Sequence, residues 1–478
     1  MRTHFIRRWA NRLSCAVLVG LVVACGDLLK VSNPEQIPQD ELNDTSLFNA
    51  QVAGVISEFE DAFTRNDGAV LWSANFLTDE QVTGLNWEDY ARVNQRIVNY
   101  TEGPVNSLWG GLSRVVRLGE DVTARIETMI GPTDARIAVT EVFAGYGYLY
   151  IGESMCQAVF GTAENPDTTI RTPTDVFNLA IPHLQRALSV ATASGQTDIA
   201  QLAQVGLARA YLNLGDLTNT IAQASLVTDT AFRFWVEYSA RQDAENNGLY
   251  GQTHGNNFTM GVSPTFLAEP FGTQDIDSTQ TDPRIQHATR WRTGHNGLTK
   301  LYKPYQGLRF SGYTGETIAP ASATCPGCTG AVPSSTGDTG PLLLYQKDTR
   351  VALADYLEAQ HDMFEAMMRQ GGNDAAVNAF VNARRAAGND TAVTLTGAAL
   401  FDELRKQRAR DFYQSGLRLG DLRRWKRDGV GDFFPTGQHV NPEWGSYGVW
   451  TCYPLPLEEY EGNPKLRRPT DPLTPPGI

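Results

Sequence analysis

The chain has 478 residues, with 40 Lys and Arg against 53 Asp and Glu, so its formal net charge is -13. A chain of this length can bury a large core, either as one big domain or as two. Removal of residues 1–24, which contain four arginines and no acid, makes the charge about -17. Such an acidic body argues against binding to nucleic acid or to an anionic lipid surface.

The N-terminal segment has the pattern of a bacterial export signal. Four arginines precede an apolar stretch from Ala16 to Ala24, which is shorter than the roughly 20 residues needed to span a bilayer. Ala24 followed by Cys25 resembles the lipobox of bacterial lipoproteins, in which the cysteine thiol is lipidated. We therefore expect a signal peptide over 1–24, lipidation at Cys25 and a polar tether over 25–45. The alternative is an ordinary signal peptide that contains a cysteine.

Residues 46–230 are expected to be mainly helical, because apolar residues recur at three- and four-residue spacing. One helix is predicted to end at Gly131-Pro132, and a second begins at Asp134. Between Thr172 and Val227 the pattern predicts three helices, the first capped by Thr174-Asp175 and kinked at Pro182. This unit resembles a tetratricopeptide helix–turn–helix repeat.

Residues 231–348 contain many Gly, Asn, Thr, Pro and aromatic residues with little periodicity. We expect short strands and ordered loops here, because a structureless loop of this length is uncommon in a compact domain. Over 349–478 helix is predicted to return in four segments before a tail rich in Trp, Tyr, Pro and Gly. These segments are Arg350–Arg369, Ala375–Ala387, Gly397–Tyr413 and Leu417–Lys426.

Four cysteines remain beyond the signal and the lipid site. Cys325 and Cys328 lie three positions apart in a loop-like stretch, where a local disulfide is favoured over a redox pair or half a zinc site. That pairing leaves Cys156 and Cys452 as a possible long-range disulfide in an exported protein.

Three C-terminal segments occur in an order that resembles the SusD/RagB family of outer-membrane nutrient-binding lipoproteins. They begin at Arg350, Phe380 and Leu400, and the last one runs to Trp425. Two further short motifs are similar to motifs of that family, namely Asp282-Pro283-Arg284 and Tyr453-Pro454-Leu455-Pro456. Gln407 and Ser415 stand where the family usually has Glu, which indicates a divergent branch.

The resemblance implies a mainly α SusD-like fold with tetratricopeptide-type units and an inserted loop region, forming one domain over 25–478. It implies a lipid-anchored outer-membrane protein facing the cell exterior, with neither enzymatic activity nor a cofactor. Such a protein captures a nutrient, an oligosaccharide above all, although peptides also suit the family. It then passes the nutrient to a TonB-dependent, SusC-like barrel.

Sugar binding needs flat aromatic faces beside hydrogen-bonding groups, because pyranose rings present both C–H faces and hydroxyls. Trp72 and Asn75 match an early tryptophan and asparagine that bind glycan in SusD-type proteins, and Trp87 is near them in the chain. Trp291 and Tyr302 lie in the irregular section that also supplies ligand contacts in such proteins. We take these five residues as candidate ligand contacts. The alternative for each aromatic residue is a place in the core or a role as a loop anchor.

We interpret two C-terminal features as structural. One is a helix with Leu400, Leu404 and Phe412 on one face, which is expected to end at Gly416. The other is the group of charged residues from Arg418 to Arg424. Asp275 and Asp277 have spacing compatible with a calcium-binding loop, but the glycine and distal glutamate of an EF-hand are missing. A solvated loop is therefore favoured.

Two other functions compete with nutrient capture. One is a tetratricopeptide-type envelope scaffold, and the other is an exported glycoside hydrolase with a pair of catalytic carboxylates.

Overall fold

The computed structural model of the protein describes residues 41–65, 67–161, 169–253, 259–263, 266, 282, 284–287, 292–302, 304–305, 345–463 and 466–468. The chain divides into two compact units, Met1–Phe48 and Asn49–Ile478. In the first unit the described residues form a short 3-10 helix, Thr45–Leu47, capped by the Asp44 side chain. The predicted signal peptide, Cys25 and most of the tether lie outside the described residues.

Helices form most of the described part of the chain from Phe48 onward. In chain order they are α1 Phe48–Glu60, α2 Glu88–Asn94, α3 Gly103–Met129, α4 Arg136–Ser154, α5 Pro173–Ser194, α6 Thr197–Leu214, α7 Leu217–Ala224, α8 Gly248–Thr253, α9 Tyr356–Gln370, α10 Asp374–Ala387, α11 Gly397–Asp411, α12 Arg418–Arg427 and α13 Leu457–Gly462. Helix α4 is buried on almost every side and packs between α3 and α5. A helix that is apolar all round belongs in the interior, so α4 is the centre of the core.

Helices α5, α6 and α7 form the tetratricopeptide-like unit that the sequence predicts. Gly195 and Gly215 end α5 and α6 in the left-handed conformation, with φ of 75° and 76°. The N-cap of α5 is Thr172, two residues before the predicted cap, and it shares a capping box with Asp175. Helix α5 continues through Pro182, since the missing N–H removes one hydrogen bond without ending the helix.

The described strands are short and lie in two-stranded antiparallel sheets. The pairs are β1 Gln81–Thr83 with β3 Met260–Val262, β2 Arg233–Val236 with β8 Val351–Asp355, β4 Gln286–His287 with β7 Pro304–Tyr305, and β5 Arg292–Thr293 with β6 Lys300–Leu301. The prediction of short strands and loops is confirmed for the described part of 231–348. The prediction of helix from Arg350 is wrong, because Val351–Asp355 pairs with β2 and is buried throughout.

Helices α11 and α12 differ from the prediction where they meet. Helix α11 ends at Asp411, and Gly416 adopts a φ of 74° in the following turn, so Gly416 shapes the turn and does not end the helix. Leu400 and Leu404 share one apolar cluster, whereas Phe412 packs in another with Leu357 and Leu417. Phe412 does not share the helix face of Leu400 and Leu404, because helix α11 ends at Asp411, one residue before it.

Arginine–carboxylate pairs hold the C-terminal helices against the rest of the core. Arg424 donates two hydrogen bonds to Glu365, and Arg408 joins Asp362 to Asp421. Arg418 donates to both oxygens of Asp79 at 2.8 and 2.7 Å. The sequence-based interpretation of this charged segment as structural is therefore confirmed for Arg418, Asp421 and Arg424.

A disulfide joins Cys156, just after α4, to Cys452 in the C-terminal tail. This confirms the long-range pairing left open by the sequence, whereas Cys325 and Cys328 lie outside the described residues. Cys156 N also donates a hydrogen bond to Tyr453 O, so the tail is attached to the core by covalent and main-chain links. In the described part of the chain, no helix is long and apolar enough to cross a membrane.

Candidate functional site

Three segments that are far apart in sequence meet at one surface. The turn between β5 and β6 contacts residues 84–90, where Asn296 N donates to Gly84 O at 2.7 Å. The same turn contacts the tail, where Asn441 Nδ2 donates to Thr299 Oγ1 at 3.1 Å. We call the surface built by residues 84–90, 294–299 and 438–447 the aromatic face.

Close backbone packing fixes the position of the β5–β6 turn. A Cβ atom on Gly294 would lie 2.7 Å from the Cα of Gly84, so only glycine fits there without movement. Within the turn, Asn296 Oδ1 accepts from the amides of Leu298 and Thr299 at 3.0 and 2.9 Å. These bonds form an Asx-type turn that presents Leu298 to solvent.

Trp87 is the most exposed aromatic ring of the face. It is the N-cap residue of α2, and 53% of its surface is accessible. Its ring lies 5.6 Å from that of Tyr90, whose hydroxyl donates to Asp67 O at 2.8 Å. Tyr90 in turn stacks on Trp72, with ring centroids 5.8 Å apart and planes 6° from parallel. Trp87 is thus the outermost of three contacting rings. The two inner rings, Tyr90 and Trp72, are buried and support Trp87 from the core side.

The structure places Trp72 and Asn75 beneath this surface. Trp72 is 1% exposed, and its Nε1 donates to Thr64 O at 3.1 Å. Asn75 is equally buried, and its Nδ2 donates to Leu71 O at 3.4 Å. Neither side chain offers a free face to solvent in this arrangement. Their direct contact with ligand stays a prediction, and what the geometry assigns to Trp72 is support of Tyr90.

Sequence reasoning missed the second aromatic group of the face, His439, Trp444 and Tyr447. The His439 ring centroid lies 4.9 Å from that of Trp444 and 4.6 Å from that of Tyr447, and both partners are half-buried. Burial lowers the pKa of His439 to about 4, so the ring is neutral near pH 7. Its Nδ1 accepts from Asn441 N at 2.9 Å. The abundance of Trp and Tyr in the tail was the available signal.

The remaining predicted residues are not joined to Trp87 by a contact among the described residues. Tyr302 follows β6 and points away from Leu301, because successive strand side chains alternate in direction. Its ring lies 5.8 Å from that of His287 and packs on the cluster around Val262 and Ile285. Trp291 lies outside the described residues, as do Asp275 and Asp277.

The aromatic face combines flat rings with amide and hydroxyl groups fixed by hydrogen bonds. Partly exposed aromatic rings suit the apolar face of a pyranose, and neighbouring amides suit its hydroxyls. Among the described residues, no group of His, Cys, Asp and Glu is arranged to hold a metal ion. The rings and amides of the aromatic face suit non-covalent binding of a ligand.

The backbone is similar to solved structures over most of its length. A SusD-like protein from Bacteroides fragilis matches with a TM-score of 0.63 and 14% identity, over 92% of this chain and 99% of that chain. A SusD superfamily protein from Parabacteroides distasonis matches with a TM-score of 0.62 and 12% identity, over 91% of this chain and 100% of that chain. The protein has the SusD fold. The resemblance seen in the sequence is thus confirmed at the level of the fold.

The likeness to the SusD fold is found by comparison of backbones. No family model matches the sequence, and no curated protein matches it. A further structure with a TM-score of 0.62 is that of a SusD-like carbohydrate binding protein from Bacteroides fragilis, at 14% identity over 90% of this chain and 100% of that chain. The course of the backbone is similar although most residues differ.

Proposed function

We propose that the protein is a cell-surface lipoprotein that binds an oligosaccharide at the aromatic face. The observation that carries the proposal is the exposed Trp87 ring, which Tyr90 and Trp72 support from below. The β5–β6 turn contacts the segment just before Trp87, where Asn296 N donates to Gly84 O. Similar solved structures include one described as a putative sugar binding protein and another as a SusD-like carbohydrate binding protein, which supports this ligand class.

The proposed mechanism is capture and handover without a covalent step. Stacking on Trp87 and hydrogen bonds from neighbouring side chains hold the sugar, and its release needs only the loss of these contacts. Two aromatic groups on one surface favour an extended ligand over a single sugar, because each group can stack on a different ring. A TonB-dependent, SusC-like outer-membrane barrel is the proposed recipient.

The lipid anchor and the outward orientation belong to the same proposal. The export-like segment before Cys25 supports lipidation, and the acidic composition argues against adhesion to anionic lipid. A single lipid chain binds a membrane only marginally, so stable anchoring requires more than one chain. The polar tether over 25–45 would then keep the body near its transporter while it binds ligand.

Binding to a panel of neutral oligosaccharides tests the site. Trp87→Ala is expected to weaken binding by about tenfold, because loss of one stacked ring removes on the order of 1 kcal/mol. Leu226→Ala is the matched control, since Leu226 is 55% exposed and outside the aromatic face. Absence of oligosaccharide binding, or equal binding by the Trp87 variant, would show that the proposed site is wrong.

Location is tested separately in cells. Labelling with a palmitate analogue should mark the wild type and not Cys25→Ala, and protease added to intact cells should digest the wild-type body. Protection from protease would favour the alternative of a periplasmic tetratricopeptide-type scaffold. Co-purification with a TonB-dependent barrel is expected for the transporter complex, and its absence under conditions that retain lipoproteins would contradict the handover step.

A further inference from the structure

The structure contains a cavity that shares no residue with the aromatic face. It has a volume of about 570 Å³ and is bordered by the end of α4, the start of α5 and one side of α12. Phe177 and Cys156, which is disulfide-bonded to Cys452, provide an apolar wall. We call this cavity the basic pocket. Its volume is in the range of small-ligand sites, roughly 300–1,000 Å³.

Helix α12 lines the pocket with cations. Arg423, Lys426 and Arg427 are spaced three and four residues apart, so they lie on one side of the helix. Among the described residues that line the pocket, the one acid is Glu153. Its carboxylate already accepts hydrogen bonds from Arg209 Nε at 2.7 Å and Asn213 Nδ2 at 2.8 Å. The pocket is therefore locally cationic in a protein with a net charge of -13.

Arg423 is a cation without a carboxylate partner in the described part of the chain. Its Nη1 donates to the main-chain oxygens of Gly152 and Glu153 at 3.0 and 2.6 Å. Burial lowers the pKa of Arg423 to about 10, so the cationic form is less well stabilised than in water. A ligand oxyanion would supply the missing countercharge, because arginine binds such groups through paired N–H donors.

Lys426 and Arg427 differ in how readily they can contact a ligand. Lys426 pairs with Asp432 at 2.9 Å, and both side chains are nearly half exposed. This exposed pair contributes little and exchanges readily, so a bound anion can draw on Lys426 at small cost. Arg427 is held more firmly, because it pairs with Asp428, which is 14% exposed, and its Nη1 donates to Asn213 O. Arg427 therefore adds positive charge beside the pocket.

The pocket also has groups suited to a sugar ring. Gln157 and Thr174 contribute an amide and a hydroxyl to its lining, and Phe177 provides an aromatic ring in the wall. The N-terminal turn of α5 contributes little to anion binding, because the capping box between Thr172 and Asp175 places a carboxylate there. Recognition of charge must come from α12.

We propose that the basic pocket binds a sugar acid, with the sugar carboxylate on Arg423 and the ring against the wall formed by Phe177 and the disulfide. The choice of a sugar rests on the proposed function, whereas the choice of an anion rests on α12 alone. The same oxyanion chemistry occurs in a free inorganic anion and in a charged sugar unit. The pocket is therefore a charge-selective subsite separate from the aromatic face.

Calorimetric titration of the full-length protein in non-ionic detergent tests the assignment. Glucuronate, glucose and inorganic sulfate are the three probes, which separate a sugar acid from a neutral sugar and from a free oxyanion. Glucuronate is expected to bind at least about tenfold more tightly than glucose, since a charged hydrogen bond distinguishes the two. Rising salt should weaken its binding by screening the cations. Equal binding of glucose, or binding of sulfate without glucuronate, would overturn the assignment.

Variants locate the binding. The double variant Lys426→Glu/Arg427→Glu changes two exposed side chains and is expected to weaken glucuronate binding by about tenfold or more. The control Arg117→Glu/Lys347→Glu makes the same change in net charge at side chains that do not line the pocket. Arg423→Gln, where the variant folds, should weaken glucuronate binding as much as Lys426→Glu/Arg427→Glu does. Equal binding by the pocket and control variants would overturn the proposal.

Trp87→Ala separates failure of this inference from failure of the proposed function. It should leave glucuronate binding within about twofold of the wild type while weakening neutral oligosaccharides. Loss of glucuronate binding in Trp87→Ala would place the anion at the aromatic face and overturn the basic pocket. Retained oligosaccharide binding with no glucuronate binding would overturn the basic pocket and leave the proposed function intact.

Discussion

Asp411 accepts hydrogen bonds from Arg384 Nε and Nη2 at 2.8 and 2.9 Å, and both residues are buried. The same carboxylate contacts His361 Nε2 at 2.7 Å and Arg284 Nη1 at 3.1 Å. Burial raises the pKa of Asp411, but the two arginines outweigh burial and hold that pKa well below its usual range. Asp411 is therefore the shared anion that joins α9, α10 and α11 to the segment around Arg284.

Asp411→Asn should lower the free energy of unfolding by about 3–5 kcal/mol, because it leaves buried arginines without their anion. Urea denaturation near pH 7 measures the loss. Asp402→Asn is the matched control, since Asp402 is 41% exposed and pairs with Arg405 and Lys406. The control should lose less than about 1 kcal/mol. Similar losses in both variants would show that burial does not decide the strength of these pairs.

The sequence predicts the helices best where periodicity and end signals agree. Helix α3 ends at Met129, just before Gly131, and α6 ends where Gly215 adopts a positive φ. These signals are local, so neighbouring residues suffice to interpret them. Val351–Asp355 was assigned incorrectly, because a short apolar run is compatible with either a buried strand or a helix. Its strand partner, Arg233–Val236, is remote in the chain.

The aromatic face is predictable only in part from the sequence. The sequence predicts both Trp72 and Trp87 as candidate ligand contacts, yet Trp72 is buried and Trp87 is exposed. The difference is set by stacking on Tyr90, which depends on the position of α2 against the preceding loop. Trp444 joins the face through contacts of the tail with the β5–β6 turn, and no local pattern encodes that approach.

Removal of the Cys156–Cys452 disulfide should destabilise the body. The double variant Cys156→Ala/Cys452→Ala is expected to lower the free energy of unfolding by about 2–4 kcal/mol, because the bond closes a long loop in the unfolded chain. Thermal unfolding without reductant measures this change. Added reductant should lower the Tm of the wild type more than that of the double variant.

Thiol counting provides the control for this bond. Cys156→Ala should release one additional reactive thiol, that of Cys452, when the protein is denatured without reductant. The double variant should not release it. An unchanged thiol count in the single variant would contradict the pairing of these two cysteines.

Gly294→Ala should weaken oligosaccharide binding at the aromatic face. The added Cβ would lie 2.7 Å from Gly84 Cα and 2.8 Å from a Leu301 methyl carbon, so the β5–β6 turn must move away from residues 84–90. We expect a stability loss of about 1–3 kcal/mol and an affinity loss measurable by titration. Gly251→Ala is the control, since a Cβ there meets no atom within 4 Å. Unchanged affinity in the Gly294 variant would exclude the turn from the site.

Glu80 should make the stability of the protein fall as pH rises. Burial raises its pKa to about 8, against the lowering effects of a hydrogen bond from Gln414 N and of Arg418. Between the ordinary pKa of 4.5 and about 8, the unfolded chain has released this proton while the folded chain still holds it. Stability therefore decreases across that window and levels off above it.

Glu80→Gln should remove this pH dependence, because glutamine does not titrate and can still accept the hydrogen bond from Gln414 N. The stability gained by the variant over the wild type should increase from about pH 5 to about pH 8 in urea denaturation series. Glu88→Gln is the matched control, because the Glu88 side chain is 84% exposed and should leave the pH profile unchanged. Parallel pH profiles for wild type and Glu80→Gln would show that Glu80 is ionised in the folded protein at neutral pH.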